Sequence, residues 1–332
     1  MVKKKRSHSS VTAPRNRKKG RPKSVAGDPM KDNLLNVDSN KIYLEDCIDF
    51  MTRLAPKSID VIVTSPPYNL RKPYSKYEDN RERKDYLDFL NKTARLAKEV
   101  LKDEGSFFLN IGGKPSDPWL AFDVAREFEN HFVLQNMIHW IKHVSITKDN
   151  STRKNGLNGD ISFGHFKPIN TNTYLNQCQE YIFHFTKTGK VQLDKLAIGV
   201  PYQHKSNVTR WRKKGDLRDR GNVWFIKYEN KQGAVEPILH PAIFPEKLPY
   251  LCIKLHGVKE GLVVYDPFMG IGTTAVACLR LGVDYIGTEI DKSYVDIAEK
   301  RIKERKKELS QLKIENVKPA QIKESVYIDA FS

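Results

Sequence analysis

The hexapeptide Thr64-Ser65-Pro66-Pro67-Tyr68-Asn69 directly follows an apolar run, Ile59-Asp60-Val61-Ile62-Val63. Each proline lacks an N–H and fixes φ near −65°. The chain therefore leaves a buried strand rigid and extended, with free carbonyls. Ser65 adds a hydroxyl and Tyr68 a flat ring. Together, carbonyl, hydroxyl and ring can hold a planar base that carries an exocyclic amino group. Hydrogen bonds would take the amino group, and the ring would stack on the base.

A second constellation lies almost two hundred residues later. Leu262-Val263-Val264-Tyr265 reads as a strand. It runs into Asp266-Pro267-Phe268-Met269-Gly270-Ile271-Gly272-Thr273-Thr274 and then into a helical stretch, Ala275 to Leu281. Strand, glycine turn and helix bring a nucleotide-like ligand close to backbone at the carboxyl edge of a sheet. A further strand, Tyr285-Ile286-Gly287, ends near Glu289, where a carboxylate can accept from ribose hydroxyls. The spacing Gly270-x-Gly272-x-x-Ala275 also satisfies a dinucleotide fingerprint, which leaves an NAD-dependent oxidoreductase open. No Gly-Lys-Ser/Thr follows, so it is not a Walker loop.

The pair of motifs, in this order, resembles the β group of DNA amino-methyltransferases. Tyr43-Leu44-Glu45-Asp46-Cys47, His240-Pro241-Ala242-Ile243-Phe244-Pro245 and Gly287-Thr288-Glu289-Ile290-Asp291 also match that group, and the resemblance covers roughly residues 40 to 305. It implies S-adenosyl-L-methionine as methyl donor and Ser65, Pro66, Pro67 and Tyr68 as the catalytic motif. The cofactor residues it implies are Asp266, Phe268, Gly270, Gly272 and Glu289, with His240 and Pro241 forming a supporting turn. Thr273 and Thr274 would bind the cofactor carboxylate or simply cap a helix. Asp46 would lie near the adenosine or cap a helix. No metal is implied. Methylating an amino group instead requires desolvation, alignment with the donated methyl, and acceptors for the N–H groups. Ser before Pro-Pro-Tyr points, by resemblance, to N4 of cytosine; N6 of adenine is the alternative. A base inside a duplex cannot reach such a pocket, so flipping is expected.

The formal charge of +17 is segregated. Residues 1–32 hold 11 Lys/Arg against 2 Asp, and residues 187–236 hold 12 against 5, so the two segments contribute +9 and +7. Segregated positive charge suits a phosphate backbone. Duplex DNA is the expected partner, although RNA shares the chemistry. Arg17-Lys18-Lys19-Gly20-Arg21-Pro22-Lys23 is either an AT-hook, with Arg21 in a narrow minor groove, or a generic basic tail. Arg210, Arg212, Lys213, Lys214, Arg218 and Arg220 form the local peak of the second segment and would contact phosphates or base edges. A DNA-binding protein without catalysis is the further alternative.

Strand and helix signals alternate from about residue 40, which means an α/β sheet. Strands are expected at Ile42–Leu44, Val61–Thr64, Ser106–Ile111, Phe132–Trp140, Glu180–Phe185, Leu262–Tyr265 and Tyr285–Thr288. Helices are expected at Ile48–Leu54, Tyr86–Leu101, Trp119–Phe128, Glu246–His256, Thr273–Leu281 and Lys292–Leu309. The expected fold is a seven-stranded, mostly parallel methyltransferase sheet. It divides into a disordered basic tail (1–32), a catalytic half (33–186), a target-recognition region (187–236), a cofactor half (237–312) and a C-terminal extension (313–332). The charged segment Leu70–Lys84 reads as a mobile loop. No apolar stretch approaches the roughly 20 residues of a membrane span, and the N-terminus has no signal-like apolar region. Cys47, Cys178, Cys252 and Cys278 form no CxxC pair. The expectation is a cytoplasmic, nucleoid-associated methylase that is functionally paired with a restriction endonuclease.

Overall fold

The computed structural model describes residues 37–147, 159–164, 171–202, 206, 208, 215–228 and 243–314. Twelve strands occur among these residues. They are β1 (Lys41–Leu44), β2 (Ile59–Thr64), β3 (Leu101–Ile111), β4 (Val133–Ile141), β5 (Val144–Ile146) and β6 (Ile161–Phe163). Then follow β7 (Gln179–Thr186), β8 (Val200–Pro201), β9 (Leu217–Arg218), β10 (Val223–Phe225), β11 (Val263–Asp266) and β12 (Asp284–Glu289). Six helices accompany them: α1 (Cys47–Met51), α2 (Arg83–Val100), α3 (Leu120–Glu129), α4 (Lys247–His256), α5 (Thr273–Leu281) and α6 (Lys292–Ile314).

Eight strands share one sheet in the order β1-β12-β11-β2-β3-β7-β4-β10. Only the pairings made by β7 are antiparallel. β5 pairs with β6, and β8 with β9, as small antiparallel ladders. The centre of the sheet follows from the sequence of β2, which is buried at all six positions. A strand covered on both faces reads as a near-continuous apolar run. Val61 and Val63 join the core cluster that takes Leu251, Cys278 and Val295 from α4, α5 and α6. Ile62 joins the opposite cluster with Phe50, Leu90 and Val124 from α1, α2 and α3. The layers are therefore helix, sheet, helix.

All seven expected strands are present, and an eighth extends the sheet. β10 lies parallel to β4, with Trp224 opposite Trp140. Three residues are too few to show a period, and basic neighbours hide them. Trp224 is buried and its indole donates to the Gly221 carbonyl at 3.0 Å. Val191, Ile198 and Ile226 are buried as well, so the described part of segment 187–236 contributes core as well as surface.

Beneath the sheet, Ser106 joins two histidines. Its hydroxyl lies 3.0 Å from His184 Nε2 and 2.9 Å from His256 Nδ1. Asn136 Nδ2 donates to His184 Nδ1 at 3.0 Å. Burial lowers the His184 pKa to about 3 and the His256 pKa to about 4. Above the ordinary pKa of 6.5 both imidazoles are neutral whether the chain is folded or unfolded. As pH falls below 6.5, the unfolded chain takes up protons that the folded one refuses. Stability is therefore expected to fall between pH 6.5 and about 4, by up to about 1.4 kcal/mol per pH unit for each histidine. Urea unfolding at pH 7.5, 6 and 5 measures this. His256→Asn should flatten the dependence, and an unchanged slope would count against the assignment.

Candidate active site

The parallel register of β2 against β11, Val61 with Val264 and Tyr265 with Ile62, places the two sequence motifs side by side at the carboxyl edge of the sheet. One cavity of about 660 Å³ is lined by residues of both. Ser65, Pro66, Pro67 and Tyr68 line it, as do Asp46, Phe268, Gly270, Thr273 and Glu289.

Asp266 ties the motifs together. Its side chain is fully buried, and Oδ1 accepts from Thr64 Oγ1 at 2.6 Å and from the Phe268 N–H at 3.0 Å. Oδ2 accepts from Thr274 Oγ1 at 2.6 Å. Burial raises its pKa to about 6, against the opposing effect of these three donors. Cofactor binding, direct or through water, was expected of Asp266, and carboxylate binding or helix capping of Thr274. Both are instead fully buried and consumed by one another, so they position the turn.

The turn uses its glycines differently from the expectation. Gly270 has φ of 52° and Gly272 of 79°, a region that favours glycine. A Cβ on Gly272 would stand 2.9 Å from Ala298 Cβ, so this residue is required for α5 to pack against α6. Gly270 faces the cavity, and its N–H donates to Glu289 Oε2 at 2.8 Å. Glu289 Oε1 accepts from the N–H groups of Ile290 and Asp291 at 2.9 and 3.0 Å. Burial raises the pKa of Glu289, and these backbone donors oppose the rise. Three bonds leave part of the carboxylate's acceptor capacity for a ligand. Asp46 caps α1 through the Ile48 N–H at 2.7 Å and also lines the cavity. Thr273 Oγ1 accepts from Arg301 at 3.2 Å.

The Ser65–Tyr68 motif belongs to a polar network with members that the sequence did not disclose. Ser65 Oγ lies 2.8 Å from the Tyr68 hydroxyl, which donates to Glu180 Oε2 at 2.9 Å. Asn110 Nδ2 donates to Tyr68 at 2.7 Å and to Glu180 Oε2 at 2.9 Å. Lys142 Nζ pairs with Glu180 Oε1 at 2.9 Å. Burial, and then the nearby Glu180 charge, push the Tyr68 pKa well up. Glu180, Asn110 and Lys142 sit on β7, at the end of β3 and just after β4. Only the sheet order brings them to Ser65. The Pro67 carbonyl accepts from Tyr86 at 2.9 Å, which ties the motif to α2.

The segment Leu70–Lys84, expected to be a mobile loop, is a loop as far as Glu82 and is tied by internal hydrogen bonds. The buried Asp79 carboxylate accepts the N–H groups of Asn69, Leu70 and Lys72 at 2.8, 3.0 and 2.9 Å. Ser75 donates to Asp291 at the start of α6. The loop thus contributes Tyr74 and Tyr77 to the cavity wall, residues that no motif flagged.

Of the expected DNA contacts, Arg218 is exposed, whereas Arg220 is partly buried and its Nε donates to the Ile198 carbonyl at 2.8 Å. Arg21, Arg210, Arg212, Lys213, Lys214, His240 and Pro241 lie outside the described residues. Among the described residues, no cluster of three or more His, Cys, Asp or Glu could hold a metal, and no helix is long and apolar enough to cross a membrane.

The chain is 29% identical over 272 residues to the type II methyltransferase M.BglII of Bacillus subtilis, covering 78% of this chain and 68% of that one. It is 31% identical to the orphan methyltransferase M.BamHII of Bacillus amyloliquefaciens, covering 74% and 89%. The fold resembles that of the PvuII DNA methyltransferase (cytosine-N4-specific), with a TM-score of 0.57, 20% identity and coverage of 80% and 86%. The family of N6/N4 methyltransferases described as DNA methylase matches residues 59–300, and the chain belongs to that family.

Proposed function

We propose that this chain transfers a methyl group from S-adenosyl-L-methionine to N4 of cytosine in duplex DNA. The observation that carries the proposal is the single cavity shared by Ser65–Tyr68 and by Phe268, Gly270 and Glu289. The cofactor is cationic at its sulfonium and amino groups, and the wall offers Glu45, Asp46, Glu289 and Asp291 alongside the aromatic rings of Tyr74, Tyr77 and Phe268. Those residues fit it. When bound, the cofactor supplies an electrophilic methyl group.

The protein's own residues do the rest. Glu289 offers an acceptor to the ribose, and Phe268 packs on the apolar part of the cofactor. Ser65 Oγ and the Pro66 carbonyl accept from the exocyclic amino group, so that its lone pair is localised on nitrogen. Tyr68 offers a ring face to the extruded base, with Trp140 and Tyr228, stacked at 6.5 Å, also in the cavity wall. The choice of cytosine draws on Ser65 before Pro-Pro-Tyr and on the cytosine-N4 specificity given for the PvuII enzyme. Pairing with a restriction endonuclease fits the type II relatives, although M.BamHII is an orphan. A silent DNA-binding protein would have no use for the intact network around Ser65.

Ser65→Ala is expected to slow methyl transfer by about one to two powers of ten, the loss of one polar contact at the reacting centre, while cofactor binding is retained. Mass spectrometry of nucleosides from treated DNA should show N4-methylcytosine. N6-methyladenine alone would reject the cytosine assignment and leave the enzyme class intact.

Gly270→Val places a β-branched residue at φ of 52° and is expected to abolish cofactor binding in calorimetry. Wild-type affinity in this variant would show the cofactor site to be wrongly assigned.

Deleting residues 1–32 removes a charge of +9. DNA binding should weaken and its salt dependence flatten, with the methylated site unchanged, because phosphate contacts carry no sequence information. A changed site would place sequence choice in the tail.

A further inference from the structure

The network behind Ser65 has a direction, and the direction bears on which base chemistry the site accepts. An ionised carboxylate accepts hydrogen bonds and donates none. Glu180 is held beside the Lys142 ammonium at 2.9 Å, and its side chain is 15% exposed. The Tyr68 hydroxyl, 2.9 Å from Glu180 Oε2, must therefore point its proton at Glu180. The raised pKa of Tyr68 keeps that proton on the phenol, in agreement with the geometry. With its own proton committed, the Tyr68 oxygen can only accept at its other contacts. The donors in reach are Asn110 Nδ2 at 2.7 Å and Ser65 Oγ at 2.8 Å, while the Asn110 main-chain carbonyl, at 3.5 Å, is a longer and weaker acceptor than Glu180 for the Tyr68 proton. Of the two hydroxyls, Ser65 is thus the donor. Flipping the Asn110 amide would turn its oxygen towards the Glu180 carboxylate, so the amide orientation is fixed by the same charge.

We propose that Glu180 is a positioning residue that sets the proton order of the Ser65–Tyr68 pair, so that Ser65 Oγ presents lone pairs alone to the exocyclic amino group. A free serine hydroxyl both donates and accepts. Here the proton is drawn inward through Tyr68 to Glu180, and the acceptor character of a carboxylate is passed to a serine two links away. The site then selects for a donor on the base, an amino group, and against a carbonyl such as that of thymine or uracil. The Asn110 amide oxygen is a second buried acceptor at the cavity wall, and no partner satisfies it among the described residues. It favours the same class of ligand, since an amino group brings two hydrogens.

With the donor bound, the amino nitrogen would take the methyl carbon as the sulfur–methyl bond breaks, leaving a neutral thioether, and the nitrogen would then release its extra proton to solvent.

The inference rests on the methyltransferase reading, and the test separates the two. The variants are Glu180→Gln, Glu180→Asp, Tyr68→Phe and the double variant Glu180→Gln/Tyr68→Phe, each assayed on duplex DNA for kcat and KM, with thermal unfolding alongside. The Gln amide can donate to Tyr68 and reverse the order of the protons. Glu180→Gln is therefore expected to lower kcat about a hundredfold, with KM for DNA and the unfolding temperature unchanged. Glu180→Asp should recover part of the loss. Tyr68→Phe breaks the same relay, so the double variant should be no slower than Tyr68→Phe alone. Multiplicative losses in the double variant, or a Glu180→Gln effect confined to KM or to thermal stability, would overturn the relay. A wild-type chain with no methyl transfer to any DNA would instead overturn the functional reading. A wild-type chain that methylates no faster than Glu180→Gln would overturn only this inference.

Discussion

The site depends on one buried carboxylate. Asp266 ends β11 and is bonded to Thr64 at the end of β2, to Thr274 in the first turn of α5, and to the backbone of Phe268. A carboxylate without water is costly unless its oxygens are satisfied, and three donors satisfy this one. The consequence is geometric. The strand that delivers Ser65 and the turn that delivers Gly270 cannot shift relative to each other without leaving Asp266 short of a partner. Methyl transfer needs donor and acceptor atoms aligned within a fraction of an ångström. A short, buried tie between the two halves is a physical means of holding that alignment.

The glycine turn makes a related point about packing. Gly272 carries no side chain because Ala298 of α6 is already there, and Gly287 of β12 stands against Met269, where a Cβ would come within 2.4 Å of its methyl carbon. Two of the glycines that give this region its nucleotide-binding look serve helix–helix and strand–turn contacts. Only Gly270 among the three lines the cavity and holds Glu289. A motif can thus be recognised correctly while the reasons for its individual residues differ from those first assigned.

Much of the fold was legible in the sequence because its central strands are apolar runs and its helices carry clear stripes. Tyr86, Leu90, Ala94 and Ala97 of α2 are all buried, as their spacing requires. β10 was not legible, since three residues carry no period and its pairing with β4 is long-range. The motif residues at the cavity were legible for the same reason that they are adjacent: both motifs end strands. Glu180, Lys142 and Asn110 were not, because each is an ordinary polar residue in its own segment and becomes part of the site only through the order of β3, β7 and β4. The internal ties of the Leu70–Lys84 loop were not legible because charge density reads as solvation. One of those charges, Asp79, is turned inward to bind backbone.

The pairing of β2 with β11 joins residues about two hundred positions apart, as the 202-residue separation of Thr64 and Asp266 records. Contacts of that range form slowly, because the chain between them must be ordered first. During synthesis from the N-terminus, β2 emerges long before its partner, and its mostly apolar sequence leaves one edge open until β11 arrives. The nascent chain therefore carries Ser65–Tyr68 well before Gly270 and Glu289 can stand beside them. The shared cavity forms only as the last strands close the middle of the sheet, and the same interval is when the chain is most exposed to aggregation.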